Sequence, residues 1–242
     1  MPRPTTRTDA EPMRVTLVTL DGHLASAAER AFDRLRRVAP GLRCSMHCAG
    51  EWAGNPDALQ RCLDDISNAH VIIACMLFVD EHIKAVLPAL QARRDECDAM
   101  LCFMSAGEVI RLTRMGGLDM SANQKDPLAL LKKLRGGRKK AGAPKDGSSG
   151  AKQLKMLRRL PRILRFIPGT AQDLRVYFLG MQYWLAGSED NIRNLVAVAV
   201  SHYADGPRRP LRELIEAEPP VDYPDVGLYH PRAREVLFSD PA

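Results

Sequence analysis

Aromatic residues are scarce in this 242-residue sequence, at 5% of the chain, and only two of them are tryptophan. No apolar run approaches the roughly 18 residues that a membrane-crossing helix needs. The glycines never fall into the spaced pattern that cradles phosphates, and no GxSxG, HExxH or protein-kinase motif set is present. These absences exclude the usual signatures of P-loop nucleotide hydrolysis, serine hydrolysis and zinc proteolysis. The first dozen residues are polar, with Pro2, Pro4 and Pro12, and hold no apolar core of a secretory leader. The six cysteines (Cys44, Cys48, Cys62, Cys75, Cys97 and Cys102) are therefore read as free thiols in a reducing, cytoplasmic setting. Four of them sit in or beside predicted strands, where cysteine acts as a small hydrophobe.

Positive charge is confined. The net charge is +6, yet residues 125–165 hold 14 Lys/Arg against 2 Asp/Glu. That segment alone carries +12, so the remainder is mildly acidic. A protein built to meet polyanions over its whole surface would not be charged in this way. The basic segment also lacks the interleaved aromatics that stack nucleic-acid bases, so no nucleic-acid partner is expected. Its glycines and prolines mark a linker, and Leu154, Leu157, Leu160, Ile163, Leu164 and Phe166 then mark a short amphipathic helix. Two destinations stay open for it: a peripheral membrane contact or, as the default, a solvated linker followed by a helix that docks internally or on a partner.

The run Val71-Ile72-Ile73-Ala74-Cys75-Met76-Leu77-Phe78 is uncharged, apolar throughout and β-branched at its start. It reads as a strand buried on both faces, as in a parallel sheet with helices above and below. Strands are also expected over 13–20, 42–49 and 99–104. Helices are expected over 23–37, from Asn55-Pro56-Asp57 onward, over 83–94 with Pro88 inside, and over 107–115. This β-α alternation predicts an α/β fold: an open, mostly parallel sheet of the Rossmann or flavodoxin kind with flanking helices. Two further helices are expected over 171–186 and 189–204, split at Gly187-Ser188. The expected organisation is a wound-sheet domain over 13–120, a basic linker over 121–153, and a helical extension with a proline-rich tail over 154–242.

Ligands of such sheets gather at the carboxyl ends of the strands. Here those ends carry Asp21-Gly22-His23, Gly50-Glu51-Trp52, Phe78 to His82 and Ser105 to Glu108. The acids Asp80 and Glu81 suit the first turn of a helix, with His82 solvated, and His23 suits a turn. Cys44 and Cys48 resemble a metal pair, but strand alternation sends His47 to the opposite face, so packing is expected there. No catalytic or metal-ligating residue is assigned, and contacts to a cofactor are unknown. Trp184, Tyr229 and His230 are read first as packing and turn residues.

Four separated stretches carry a resemblance. They are Val71 to His82; Phe166-Ile167-Pro168-Gly169 with Ala171-Gln172-Asp173-Leu174-Arg175; Gln182 to Asn191; and Tyr223 to Pro231. In this order they resemble the N-terminal portion of the large H subunit of magnesium chelatases, a family akin to the cobaltochelatases. The resemblance implies a porphyrin-holding subunit, with Mg2+ and protoporphyrin IX as substrates of the complex, on the route to chlorophyll or bacteriochlorophyll. It further implies AAA+ partners, the I and D subunits, that hydrolyse ATP in place of this chain. Family members are several times longer, so the remainder of an H subunit is an implied partner and no catalytic residue carries over. The rival expectation is a non-catalytic interaction or regulatory module that works through the basic segment.

Overall fold

A computed structural model describes residues 12–20, 22–121, 161, 164 and 169–221. The expectations for the lead-in, the basic linker, Asp21, Tyr229, His230 and the rest of the tail lie outside the described residues.

Four parallel strands form the body of the sheet: β1 (Met13–Thr19), β2 (Leu42–Cys48), β3 (Val71–Cys75) and β4 (Ala99–Phe103). Two short antiparallel strands follow, β5 (Arg114–Met115) and β6 (Leu118–Asp119), giving the order β2-β1-β3-β4-β5-β6. Every residue of β3 and β4 is buried. Alternation sends Val71, Ile73, Cys75, Leu101 and Phe103 to one core and Ile72, Ala74, Met100 and Cys102 to the other. This is the two-sided burial that an uninterrupted apolar strand requires.

Helices α1 (Ala25–Val38), α2 (Pro56–Asn68) and α3 (Asp80–Arg93) make the crossovers. The chain winds outward from β1 to β2, then returns past β1 to β3. Right-handed crossovers must then place α1 on one face and α2 and α3 on the other. The two cores divide in this way. The Asn55 side chain caps α2 by accepting from the Ala58 amide at 3.1 Å, with Pro56 in the first turn. Pro88 lies inside α3 without ending it.

The winding leaves the face of β3 and β4 on the α1 side without a crossover helix. That space is filled by α5 (Thr170–Ala186) and α6 (Glu189–Tyr203). Between them Gly187 adopts φ +62°, and the Ser188 hydroxyl accepts from the Asn191 amide, so one helix stops and the next is capped within two residues. Gly180 lets α5 approach closely: a Cβ there would stand 3.4 Å from Phe103 and 3.5 Å from Leu195. Arg30 and Arg34 of α1 hold Glu189 at 2.8 and 3.2 Å. The described residues on both sides of the basic segment thus share one core. A last turn of helix, α7 (Leu211–Leu214), packs on α6.

Two local expectations are corrected. The apolar run is strand only to Cys75. Met76 turns into the left-handed region at φ 60°, the Leu77 amide donates to Ser105 Oγ instead of a ladder carbonyl, and Phe78 and Val79 are exposed. β4 ends alike, with Met104 at φ 49°. The helix expected over 107–115 is a single turn, α4 (Gly107–Ile110), followed by the β5–β6 hairpin. Thr113 Oγ1 accepts from the Cys102 amide and donates to the Cys102 carbonyl, which pulls the chain back to β4. The hairpin turn needs glycine at 116. It has φ +55°, and a Cβ there would lie within 3 Å of the Asp173 carboxylate.

Candidate functional site

The carboxyl edge at the β1/β3 switch point is where a fold of this winding opens a crevice. From β1, Thr19 is fully buried, and among the described residues its hydroxyl has no hydrogen-bond partner. Beyond it Gly22 leaves room beside Cys48 and Glu51: a Cβ at 22 would be 3.4 Å from the Cys48 sulfur and 3.7 Å from Glu51 Oε1. The Gly50 amide donates to the Leu20 carbonyl at 2.7 Å and ties the ends of β1 and β2 together.

Both tryptophans of the chain stand at this edge, each against a histidine. Trp52 meets His82 edge-on at 5.8 Å between ring centroids, and Trp184 meets His23 edge-on at 6.3 Å. Both indoles are buried, and Trp184 of α5 meets the β1–α1 turn through His23. Nδ1 of His82 is buried without a hydrogen-bond partner among the described residues. His82 is half-buried and packs against Trp52. Asp80 and Glu81 occupy the first turn of α3, where the helix dipole favours them. Exposed Phe78 and Val79 lie between these groups and the end of β3.

The hydroxyls and thiols around this edge differ in their commitments. Ser105 is buried with its hydroxyl committed to the Leu77 amide and the Phe103 carbonyl. Among the thiols, burial pushes Cys44 and Cys62 up to about 12 and Cys97 up to about 11, and it raises Cys102 further. These stay protonated at neutral pH and lack the thiolate that attack or metal binding requires. Cys44 packs on the α1 side of the sheet, whereas His47 Nε2 lies 2.8 Å from Asp65 of α2. Among the described residues no group of three or more His, Cys, Asp or Glu side chains is placed to hold a metal ion.

Sequence reasoning singled out Glu51, Trp52, Asp80, Glu81, His82, Ser105 and Glu108, and the fold brings all of them to one edge. It missed three things: the Trp–His pairings, the left-handed methionines, and Asp173. The last accepts from the Gly117 amide and from the Tyr203 hydroxyl, each at 2.9 Å, and so joins hairpin, α5 and α6. Only the Gly116-Gly117 pair hinted at a close approach.

Comparison with known proteins adds what this geometry lacks. Residues 14–178 match the family model described as Domain of unknown function (DUF3479), and residues 181–242 match CobN/Magnesium Chelatase. The chain is 45% identical over 227 residues to the magnesium-chelatase H subunit of Cereibacter sphaeroides, covering 94% of this chain and 18% of that protein. It is 46% identical over 228 residues to the protein of the same name from Rhodobacter capsulatus, with the same coverage. It is 31% identical over 234 residues to the chloroplastic magnesium-chelatase ChlH of Oryza sativa subsp. indica, with 94% and 16% covered. The chain thus spans about a fifth of the length of the curated relatives it matches. The junction between the two family models falls inside α5, so the second model begins within the core that the sheet shares. The chain belongs to the DUF3479 family, in the arrangement that continues directly into the CobN/Magnesium Chelatase family, and it is similar throughout to a stretch of the magnesium-chelatase H subunit.

Proposed function

We propose that this chain serves as the leading part of the porphyrin-binding H subunit of a magnesium chelatase. The observation that carries the reading is similarity to magnesium-chelatase H subunits through 94% of the chain, across both family models. On this reading Mg2+ and protoporphyrin IX are the substrates of the whole assembly, and the reaction forms nitrogen–metal bonds. Mg2+ gives up its water reluctantly, so insertion needs an energy source. ATP hydrolysis belongs to AAA+ partners, the I and D subunits, in keeping with the missing phosphate-binding loop. On this reading the chain alone is not catalytic, because it spans about a fifth of the H subunits it matches. The remainder of an H subunit supplies the proton-accepting base. The setting is cytoplasmic; among the described residues no helix is long and apolar enough to cross a membrane.

A second reading has one observation in its favour, the +12 charge of residues 125–165. There the chain is an interaction module that meets partner subunits or an anionic membrane surface through that segment. A porphyrin titration separates the two. Trp52 and Trp184 both flank the carboxyl edge, so a tetrapyrrole bound there quenches both. Saturable quenching of tryptophan emission by protoporphyrin IX supports the first reading. No quenching refutes a porphyrin-holding role for this chain, and salt-sensitive retention of the I and D subunits alongside it supports the second reading.

A further inference from the structure

We propose that two copies of this chain pair through the outer edge of β2, antiparallel about a two-fold axis at Ser45. β2 is the outermost strand, and among the described residues nothing pairs with its free edge. It is seven residues long, as long as β1. Exposed edges are ordinarily blunted by proline, bulges, short length or several charges. This one carries Arg43 alone, and residues 44–47 are half-buried. Beside it runs a groove of about 240 Å3 between α1 and β2, floored by Ala28, Phe32, Cys44 and Met46.

What selects a second copy is self-complementarity, the requirement of a two-fold interface. With Ser45 opposite itself, Cys44 faces Met46 of the second copy, and residues directly opposite share a sheet face. Both lie on the α1 side, so the two apolar grooves join into one. On the other face Arg43 comes opposite His47 of the second copy, which is held at 2.8 Å by the half-exposed Asp65. Among the described residues the Arg43 guanidinium donates to the nearby Pro40 and Leu42 carbonyls alone, and it can swing to that carboxylate.

The helices meet the same symmetry independently. α1 lies over this edge, with Glu29 and Arg36 lining the groove beside Phe32. A two-fold axis normal to the sheet sets α1 antiparallel to its copy. Glu29 and Arg36 are spaced almost evenly about Phe32, so each then approaches the opposite charge of the second copy. One axis thus satisfies an apolar pair, a strand-level charge pair and a helix-level charge pair. The result is a continuous sheet across the two copies.

The test uses the full 242-residue chain. Sedimentation equilibrium at tens of micromolar should show a dimer. Ser45→Cys places two thiols on the axis with Cβ atoms about 5 Å apart, and oxidation should give a covalent dimer whose crosslink maps by peptide mass spectrometry to position 45. Met46→Lys should weaken the dimer at least tenfold with the circular dichroism unchanged. Glu29→Arg should weaken it, and adding Arg36→Glu should restore it. A chain that stays monomeric at these concentrations overturns the proposal. So does a dimer indifferent to Met46→Lys that gives no crosslink through position 45. Should Met46→Lys fail to fold, the Ser45→Cys crosslink decides.

Discussion

Asp173→Ala should destabilise the chain by about 2–3 kcal/mol. The Tyr203 hydroxyl donates to Asp173 at 2.9 Å on a residue 6% exposed. Removing the carboxylate strands that hydroxyl, at a cost of about 1–2 kcal/mol. The Gly117 amide loses its partner as well, but it lies at the surface where water replaces the bond, so about 0.5 kcal/mol is lost there. Asp173 also sits in the first turn of α5, and its interaction with the helix dipole adds roughly 0.3–1 kcal/mol. For a chain of this size the sum lowers the melting temperature by about 5–10 °C. Urea unfolding read by the buried Trp52 and Trp184 measures it directly. Tyr203→Phe should cost about 1 kcal/mol, and the double variant should cost clearly less than the two singles together, because they break the same bond. Additive losses, or an Asp173→Ala cost below about 0.5 kcal/mol, would refute the idea that this carboxylate joins hairpin and helix pair.

Gly116→Ala should cost more than about 1 kcal/mol, since it needs a positive φ and drives a methyl into Asp173; equal stability in urea would contradict the close docking. Gly180→Leu should cost about 1–3 kcal/mol by wedging α5 off Phe103 and Leu195, measured in the same assay. His202 is held below its ordinary range, chiefly by desolvation. In acid the unfolded chain therefore takes up a proton that the folded chain resists. Stability should fall as pH drops through about 6.5, the ordinary histidine value, and His202→Gln should flatten that slope. Native Cys97 and Cys102 should resist iodoacetamide at neutral pH and react after denaturation, as raised thiol pKa values require.

The parallel strands were legible because each is short, apolar and bounded by turn residues. The caps at Asn55 and Ser188 wrote their helix starts into single residues. The end of β3 was not legible. Met76, Leu77 and Phe78 continue the apolar run, and only the neighbouring Ser105 hydroxyl and the matching turn at Met104 stop the strand. The β5–β6 hairpin was hidden for the same reason: Thr113 closes on Cys102 eleven residues away, and local periodicity over 107–115 still fits a helix. The docking of α5 and α6 on the sheet follows from the winding order, which leaves a bare face, and not from their own spacing. At the site, the chain order located the carboxyl edge and its acids. The Trp–His pairs depend on how α3 and α5 lean over that edge, which no linear pattern encodes.

Hydrogen exchange on the native chain addresses the shared core most directly. Amides of β3, β4 and α6 should exchange only by one global opening, with equal free energies at Ile73, Leu101 and Val196. Exchange in α5 and α6 at a markedly lower free energy than in β3, marking a unit that opens on its own, would contradict a sheet completed by the helices that follow the basic segment.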